Sequence, residues 1–399
     1  MYKNLLSLLA LSSLLLSCNP SEKKDSAHWY KGNLHTHSYW SDGDEFPEMI
    51  MDWYKTRDYD FLALTDHNTL AEGEKWINIR PDSIYQEAFQ TYLAKYDSSW
   101  VNSRYNADNQ IEVKLKTLSE YAPLFQEEGK FLIIQSEEVT DGFEGKPIHM
   151  NAHNLEKPIT PRHGNSVAEV IQNNIDAVLE RRRETGRAII PHLNHPNFGY
   201  GVSLDDMLKL HGERFFEVYN GHPTVHNLGD STHISTEEMW DLINISYLKA
   251  GKPIMFGMAT DDSHQYHHIG AKWSNSGRGW VVVKSDTLTA EGIITAMEKG
   301  DFYSSTGVEL NDVKYTNNSL HIEAKPVENL SYTFDLIACK KGDSATEIIE
   351  TLKGNSADFE FSDEYLFVRC KITSSRKQVN PVEGMVYEMA WTQPVQVAD

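Results

Sequence analysis

Histidine and carboxylate residues recur at the ends of short apolar runs along this chain. His35 and His37, in Asn33-Leu34-His35-Thr36-His37, alternate along an extended segment, so both imidazoles leave the same face and can meet one ion. Asp42 follows in Ser41-Asp42-Gly43. Further apolar runs deliver Asp66-His67, Glu137-Glu138, His149, His192 with His195-Pro196, and Asp261-Asp262-Ser263-His264. A lone His-x-His is commonly a hydrogen-bonded pair, and a strand-end Asp is commonly a helix N-cap. Six successive strand termini that each present imidazole or carboxylate form a pattern that chance does not easily supply. Mixed nitrogen and oxygen donors suit Zn, Mn or Fe, whereas Mg or Ca would use oxygen alone. About nine ligands require two or three ions, because one tetrahedral ion takes four.

The elements that must position these residues are short strands alternating with amphipathic helices from Trp29 to about Ser304. The segment Ser166–Arg183 predicts a helix with a Ser N-cap and a basic last turn. Repetition of strand, helix, strand predicts an α/β fold with a parallel sheet or barrel, whose chemistry lies at the C-terminal ends of the strands. Residues 71–128 break the rhythm with an aromatic-rich, charged stretch, expected to be a helical insertion beside the site or a surface decoration. From 307 to 399 the pattern becomes alternating strands with turn signals, expected to form a small all-β sandwich.

The order His-x-His, Asp, Thr-Asp-His, Glu, His, His-Pro, Asp-x-His resembles the PHP family, the polymerase and histidinol phosphatase domain, over residues 31–306. That resemblance implies a distorted seven-stranded β/α barrel. It implies His35, His37, Glu138 and Asp262 on one metal; Glu138 as a bridge with His149 and His195 on a second; and Asp42, His67 and His264 on a third. Adjacent Glu137 and Glu138 point to opposite faces of a strand; Glu138 is preferred because the family places its Glu before an apolar residue, here Val139. Asp262 fits Asp-x-His, leaving Asp261 to cap or support, and Pro196 favours His195 over His192. Asp66 is expected to orient a ligand or the substrate, and His192 to protonate the leaving oxygen.

Clustered divalent ions make hydroxide available near neutral pH and clamp ester oxygens. The first expectation is therefore a phosphoesterase acting on a small phosphorylated metabolite, with Arg162, Lys272 and Arg278 as candidate cations for the phosphate. A carbamate or carboxylic ester hydrolase is the second reading, suggested by Glu217-Val218-Tyr219-Asn220, and a non-catalytic binding lipoprotein the third. The composition agrees with a small substrate. Against 37 Lys and Arg stand 58 Asp and Glu, a net charge of −21 over 399 residues that disfavours nucleic acid. The chain begins with a Leu-rich run ending in Leu15-Leu16-Ser17-Cys18, which resembles a lipoprotein signal over 1–17. Acylation of Cys18 followed by a polar tether to residue 30 would anchor the protein in a bacterial envelope, facing the periplasm or cell surface. Cys339 and Cys370 fall in strand-like segments, either bonded or free.

Overall fold

The structure is a computed structural model and describes residues 27–398. The signal segment, Cys18 and most of the tether lie outside the described residues. Among the described residues, no helix is long and apolar enough to cross a membrane.

Two sheets carry the site. In the first, the strands His28–Asn33, Phe61–Leu62 and Leu132–Ile133 run parallel, with Gly32 opposite Phe61 and Phe61 opposite Leu132. In the second, Ile190–Leu193, Phe215–Asn220 and Phe256–Thr260 are also parallel. The strands of the second sheet are buried throughout and mostly apolar, as strands covered on both faces must be, whereas His28–Asn33 is buried only at its Gly32-Asn33 end. Beyond the regular ladders the sheets touch through isolated parallel bridges, Thr36 with Ser263 and His67 with Glu138. The fold is thus mixed α/β, in two sheets where one closed barrel was expected. The strands Ser136–Phe143 and Lys146–His153 are antiparallel. Glu144 and Gly145, both at positive φ, form the two-residue turn that folds them into a hairpin.

The helix Val167–Thr185 matches the periodic segment. Ser166 accepts from the Glu169 amide, and Gly186, at φ 71°, closes the end. Its inner face packs Val170, Ile171, Ile175 and Val178 against the second sheet. Residues 71–128 are not simply helical. They hold the helices Ser83–Trp100 and Leu118–Phe125 and a three-stranded antiparallel sheet of Trp76–Asn78, Ile111–Lys114 and Ser103–Tyr105. The helical period was legible, but the short strands are too polar to signal themselves. Tyr92 stacks on Phe46 at 4.0 Å and donates to Glu48, joining the insertion to the core beside the first sheet.

The C-terminal strands do form two facing layers, but one of them is not a separate sheet. Tyr387–Thr392 pairs with Phe302–Ser305, which pairs with Trp280–Ser285, so a ten-stranded sheet runs unbroken past the expected boundary at 306. Arg369 fastens this region further, with bidentate bonds of 2.7 and 2.8 Å to Asp241 on the helix Thr236–Lys249. Cys339 and Cys370 are both buried free thiols and pack in different core clusters.

Candidate metal centre

Strand alternation places Leu34 in the core while His35 and His37 project to the other side, with their Nε2 atoms 3.1 Å apart. Asp262 Oδ1 lies 3.2 Å from His35 Nε2 and 3.4 Å from His37 Nε2, and Glu138 Oε1 lies 3.3 Å from His35 Nε2. Glu138 Oε1 also stands 3.2 Å from His149 Nδ1 and 3.6 Å from His195 Nε2. At the mouth, the half-exposed Asp42 reaches His264 at 3.4 Å, His67 at 3.5 Å and His37 at 3.6 Å. Atoms of His37, Asp42, His67 and His264 all fall within 4.8 Å of one another. Eight of the nine side chains singled out as ligands therefore line one cavity of about 260 Å³, and the ninth, His35, is fully buried behind them against Glu138 and Asp262.

Two cluster residues adopt backbone that non-glycine residues rarely take: His195 has φ 22° and Asp262 φ 49°. Such conformations cost on the order of 1 kcal/mol or more each and persist where surroundings over-determine them. Here the His195 amide donates to Glu217 Oε2 at 2.8 Å, and the Asp262 amide donates to the His35 carbonyl at 3.0 Å.

The donor set fits divalent metal. Glu138 Oε2 and Asp262 Oδ1 are buried and make no hydrogen bond, although imidazole nitrogens surround them. An anionic oxygen left so is costly unless a cation meets it. The electrostatics agree. Burial opposes ionisation of Glu138, yet His149, His67 and His35 hold its carboxyl well below the usual range. Asp262 is lowered in the same way, against burial, chiefly by His35. Burial would lower His67, but Glu138 and Asp42 push it up to about 10. By contrast, burial and the neighbouring His264 lower His37 to about 3.

The ambiguous neighbours separate cleanly. Glu137 turns away and accepts from the Ile159 amide. Asp261 accepts from Tyr54 Oη at 2.7 Å and from the amides of Gly277, Arg278 and Gly279 at 2.9, 2.6 and 2.8 Å, capping the 265–279 loop. His192 does not reach the cavity, which corrects the role expected of it. It is fully buried behind His35, with His153 at 2.9 Å on one nitrogen and Glu217 at 3.4 Å on the other, and burial lowers its pKa. Asp66 is likewise no wall of the cavity. It accepts from the Ser38 amide and from the hydroxyls of Ser38 and Ser41 at 2.6–2.8 Å, fixing the turn whose Ser41 lies 3.3 Å from His37 Nδ1.

The three expected phosphate cations lie elsewhere too. Arg278 is buried, but it donates to the carbonyls of Gly221, Trp273, Gly270 and Asn380 and to the Asn380 side chain, so its donors are spent on loops. Arg162 pairs with Glu180 on the outer face of the long helix, and Lys272 is exposed at the loop surface. Like charge at a loop or helix surface gives no sequence signal of which way it points.

Sequence reasoning missed Glu217 and His222. Glu217 Oε1 binds His35 Nδ1 at 2.6 Å and Thr260 Oγ1 at 2.7 Å, while Oε2 also accepts from Asn220 Nδ2 at 2.8 Å. The signal was a carboxylate in the otherwise apolar run Phe215–Asn220, where charge is rare without a partner. Asn194 donates to Glu138 Oε1 at 2.6 Å and Asn220 to Asp262 Oδ2 at 3.0 Å, completing the shell that aims the ligands. His222 lines the cavity with Phe198 and Gln265. Its Nδ1 is taken by Thr224 Oγ1 at 2.9 Å, and burial lowers its pKa to about 4.

No family model matches the chain, and neither does any curated protein. Among solved structures, the chain is similar to a two-domain protein of Bacteroides vulgatus containing a predicted PHP-like metal-dependent phosphoesterase, at 14% identity and a TM-score of 0.38, over 93% of this chain and 96% of that one.

Proposed function

We propose that this protein is a metal-dependent hydrolase of the PHP type, acting as a phosphoesterase on a small phosphorylated metabolite. The observation that carries this reading is the clustering of nine imidazole and carboxylate groups, eight of them lining one cavity, with Glu138 shared between sub-clusters. His35, His37, Glu138 and Asp262 would hold one ion, Glu138, His149 and His195 a second, and Asp42, His67 and His264 a third. Divalent ions bound there supply a hydroxide nucleophile near neutral pH and neutralise charge building on the ester oxygens. The chain's own part is orientation. Glu217 and Asn194 hold His35 and Glu138 in place, Phe198 narrows the cavity, and His222, whose Nδ1 is taken by Thr224 and whose lowered pKa keeps the ring neutral, lines the cavity as a hydrogen-bonding group for a substrate oxygen.

One observation favours the carbamate or carboxylic ester reading: among the described residues no Lys or Arg lines this cavity, so a phosphate would rely on the metals and His222 alone. The metal-reconstituted protein is therefore to be assayed on p-nitrophenyl phosphate, bis-p-nitrophenyl phosphate, and an aryl acetate and carbamate. Phosphate release that disappears in His37→Ala is the expected result. Turnover of the carboxylic or carbamic esters alone selects the second reading, and bound metal without turnover of any substrate selects a binding protein.

A further inference from the structure

A second cavity, of about 500 Å³, lies on the far side of Gln265, between the first sheet and the C-terminal strands. Its charge is opposite to that of the metal centre. Lys31 is partly buried, with Nζ 3.8 Å from the centre of the Tyr59 ring and 4.3 Å from that of Trp280. Arg57 lies 4.3 Å over Trp53. Among the described residues, neither cation has a carboxylate within ion-pair distance. The two acids of the wall are already matched, Glu309 by Lys325 at 2.6 Å and Glu388 by Arg376 at 2.7 Å. Arg57 is exposed and donates to the Trp53 carbonyl at 3.2 Å, so Lys31 is the cation that this wall holds partly buried with no carboxylate in contact, on a chain of net charge −21. Cation–π contact offsets only part of the cost of holding an ammonium away from water.

The wall also contains unmet polar demand. Tyr59 Oη, Trp280 Nε1 and Glu388 Oε2 are buried without a hydrogen-bond partner. Native proteins leave few such atoms, and three beside one cavity is a concentration. The indole can only donate and the carboxylate oxygen can only accept. Gly307 lets Glu388 pack directly on the backbone of this wall, because a Cβ there would stand 2.3 Å from the Glu388 side chain. What satisfies this wall carries an oxyanion for Lys31 and Arg57, a hydroxyl for Glu388, and a ring or carbon skeleton that lies against Trp53 and Trp280.

We infer that this cavity is a binding site, separate from the metal centre, for a hydroxylated small molecule bearing one oxyanion, such as a sugar acid or a sugar ester of sulfate or phosphate. Gln265 lines both cavities, and its neighbour Tyr266 donates to the His37 carbonyl at 2.7 Å, so the two sites share a wall. The inference does not depend on the reaction proposed for the metals.

The test titrates glucuronate, glucose 6-sulfate, glucose 6-phosphate and uncharged glucose into the full-length, metal-loaded protein, followed by tryptophan fluorescence and calorimetry. Saturable binding of at least one charged sugar is expected, with glucose weaker by about tenfold or more, the scale of one charge-assisted hydrogen bond. The identity of the best probe distinguishes carboxylate, sulfate and phosphate. Binding should fall by about tenfold in Lys31→Met and persist in Asp262→Asn. Trp280→Phe, which removes the indole N–H donor together with part of the aromatic face, should weaken binding while circular dichroism stays unchanged, and it decides the matter if Lys31→Met fails to fold. No saturation by any charged probe overturns the inference, as does binding abolished by Asp262→Asn and untouched by Lys31→Met or Trp280→Phe.

Discussion

The metal cavity and the cavity beside the C-terminal strands stand on either side of Gln265, yet they solve the burial of charge in opposite ways. In the first, Glu138 and Asp262 are drawn toward imidazoles and still leave oxygens unmatched. In the second, the partly buried Lys31 rests on the faces of Tyr59 and Trp280 with no carboxylate in contact, while Arg57 lies exposed over Trp53 at the rim. The difference teaches what supports a buried charge here. Ligands of the metal cavity are aimed by a hydrogen-bonded shell of Glu217, Asn194 and Asn220, whereas the Lys31 ammonium of the other cavity is aimed by packing on two rings. The first arrangement is stiff and matched to an ion of fixed geometry; the second suits a ligand that brings its own polar groups.

The strongest way to break this contrast is Glu138→Gln. Removal of the shared charge is expected to lower turnover by about a thousandfold or more and to reduce the metal content found by elemental analysis, without changing sugar binding at Lys31. Retained metal and activity would mean that Glu138 is not shared. A smaller effect is expected for Glu217→Gln, which keeps the shape but loses the charge behind His35. Metal affinity should fall by about 10- to 100-fold, measured by competition with a chelator, and excess metal should restore turnover.

A pH effect that belongs to neither cavity separates global stability from the sites. Burial pushes Glu213 up to about 8; its Oε1 accepts from the Arg214 and Phe215 amides, and Oε2 has no partner. A carboxyl whose folded pKa is raised binds more protons when folded, so its stabilising contribution is full below about 4.5 and is lost as pH rises through about 8. Glu213→Gln is therefore expected to gain stability over the parent protein between pH 5 and 8, by up to a few kcal/mol at about 1.4 kcal/mol per unit, read from denaturant midpoints. A constant difference across that range would refute the assignment. The smallest effects are expected from Arg162→Ala and Lys272→Ala. Because both lie outside the metal cavity, KM should change by less than about twofold. A larger rise in KM without loss of stability would bring a surface cation back to the substrate.

Much of the metal centre was legible because strand alternation and strand-end position are local properties. His35 and His37 had to share a face, and the spacing of Asp66-His67, Glu138, His195 and Asp262 after apolar runs put them at one edge of the sheets. The helix at Val167–Thr185 was legible for the same reason, since its Ser cap, apolar period and terminal Gly are neighbours in sequence. The continuity of the ten-stranded sheet was not, because pairing of Phe302–Ser305 with Tyr387–Thr392 spans more than eighty residues and leaves no local trace.

The sequence by itself determined the donor types, their order along the chain and the face each strand presents. Tertiary structure alone decided which donors meet. It put Glu138 among five imidazoles and turned Glu137 away, gave Asp261 to the loop amides and Asp262 to the cluster, and buried His192 behind His35 while bringing His222 to the cavity. The physical reason is that residue type and periodicity fix a side chain's chemistry and direction, whereas burial, partnership and charge compensation depend on chain segments that approach only when the sheets pack.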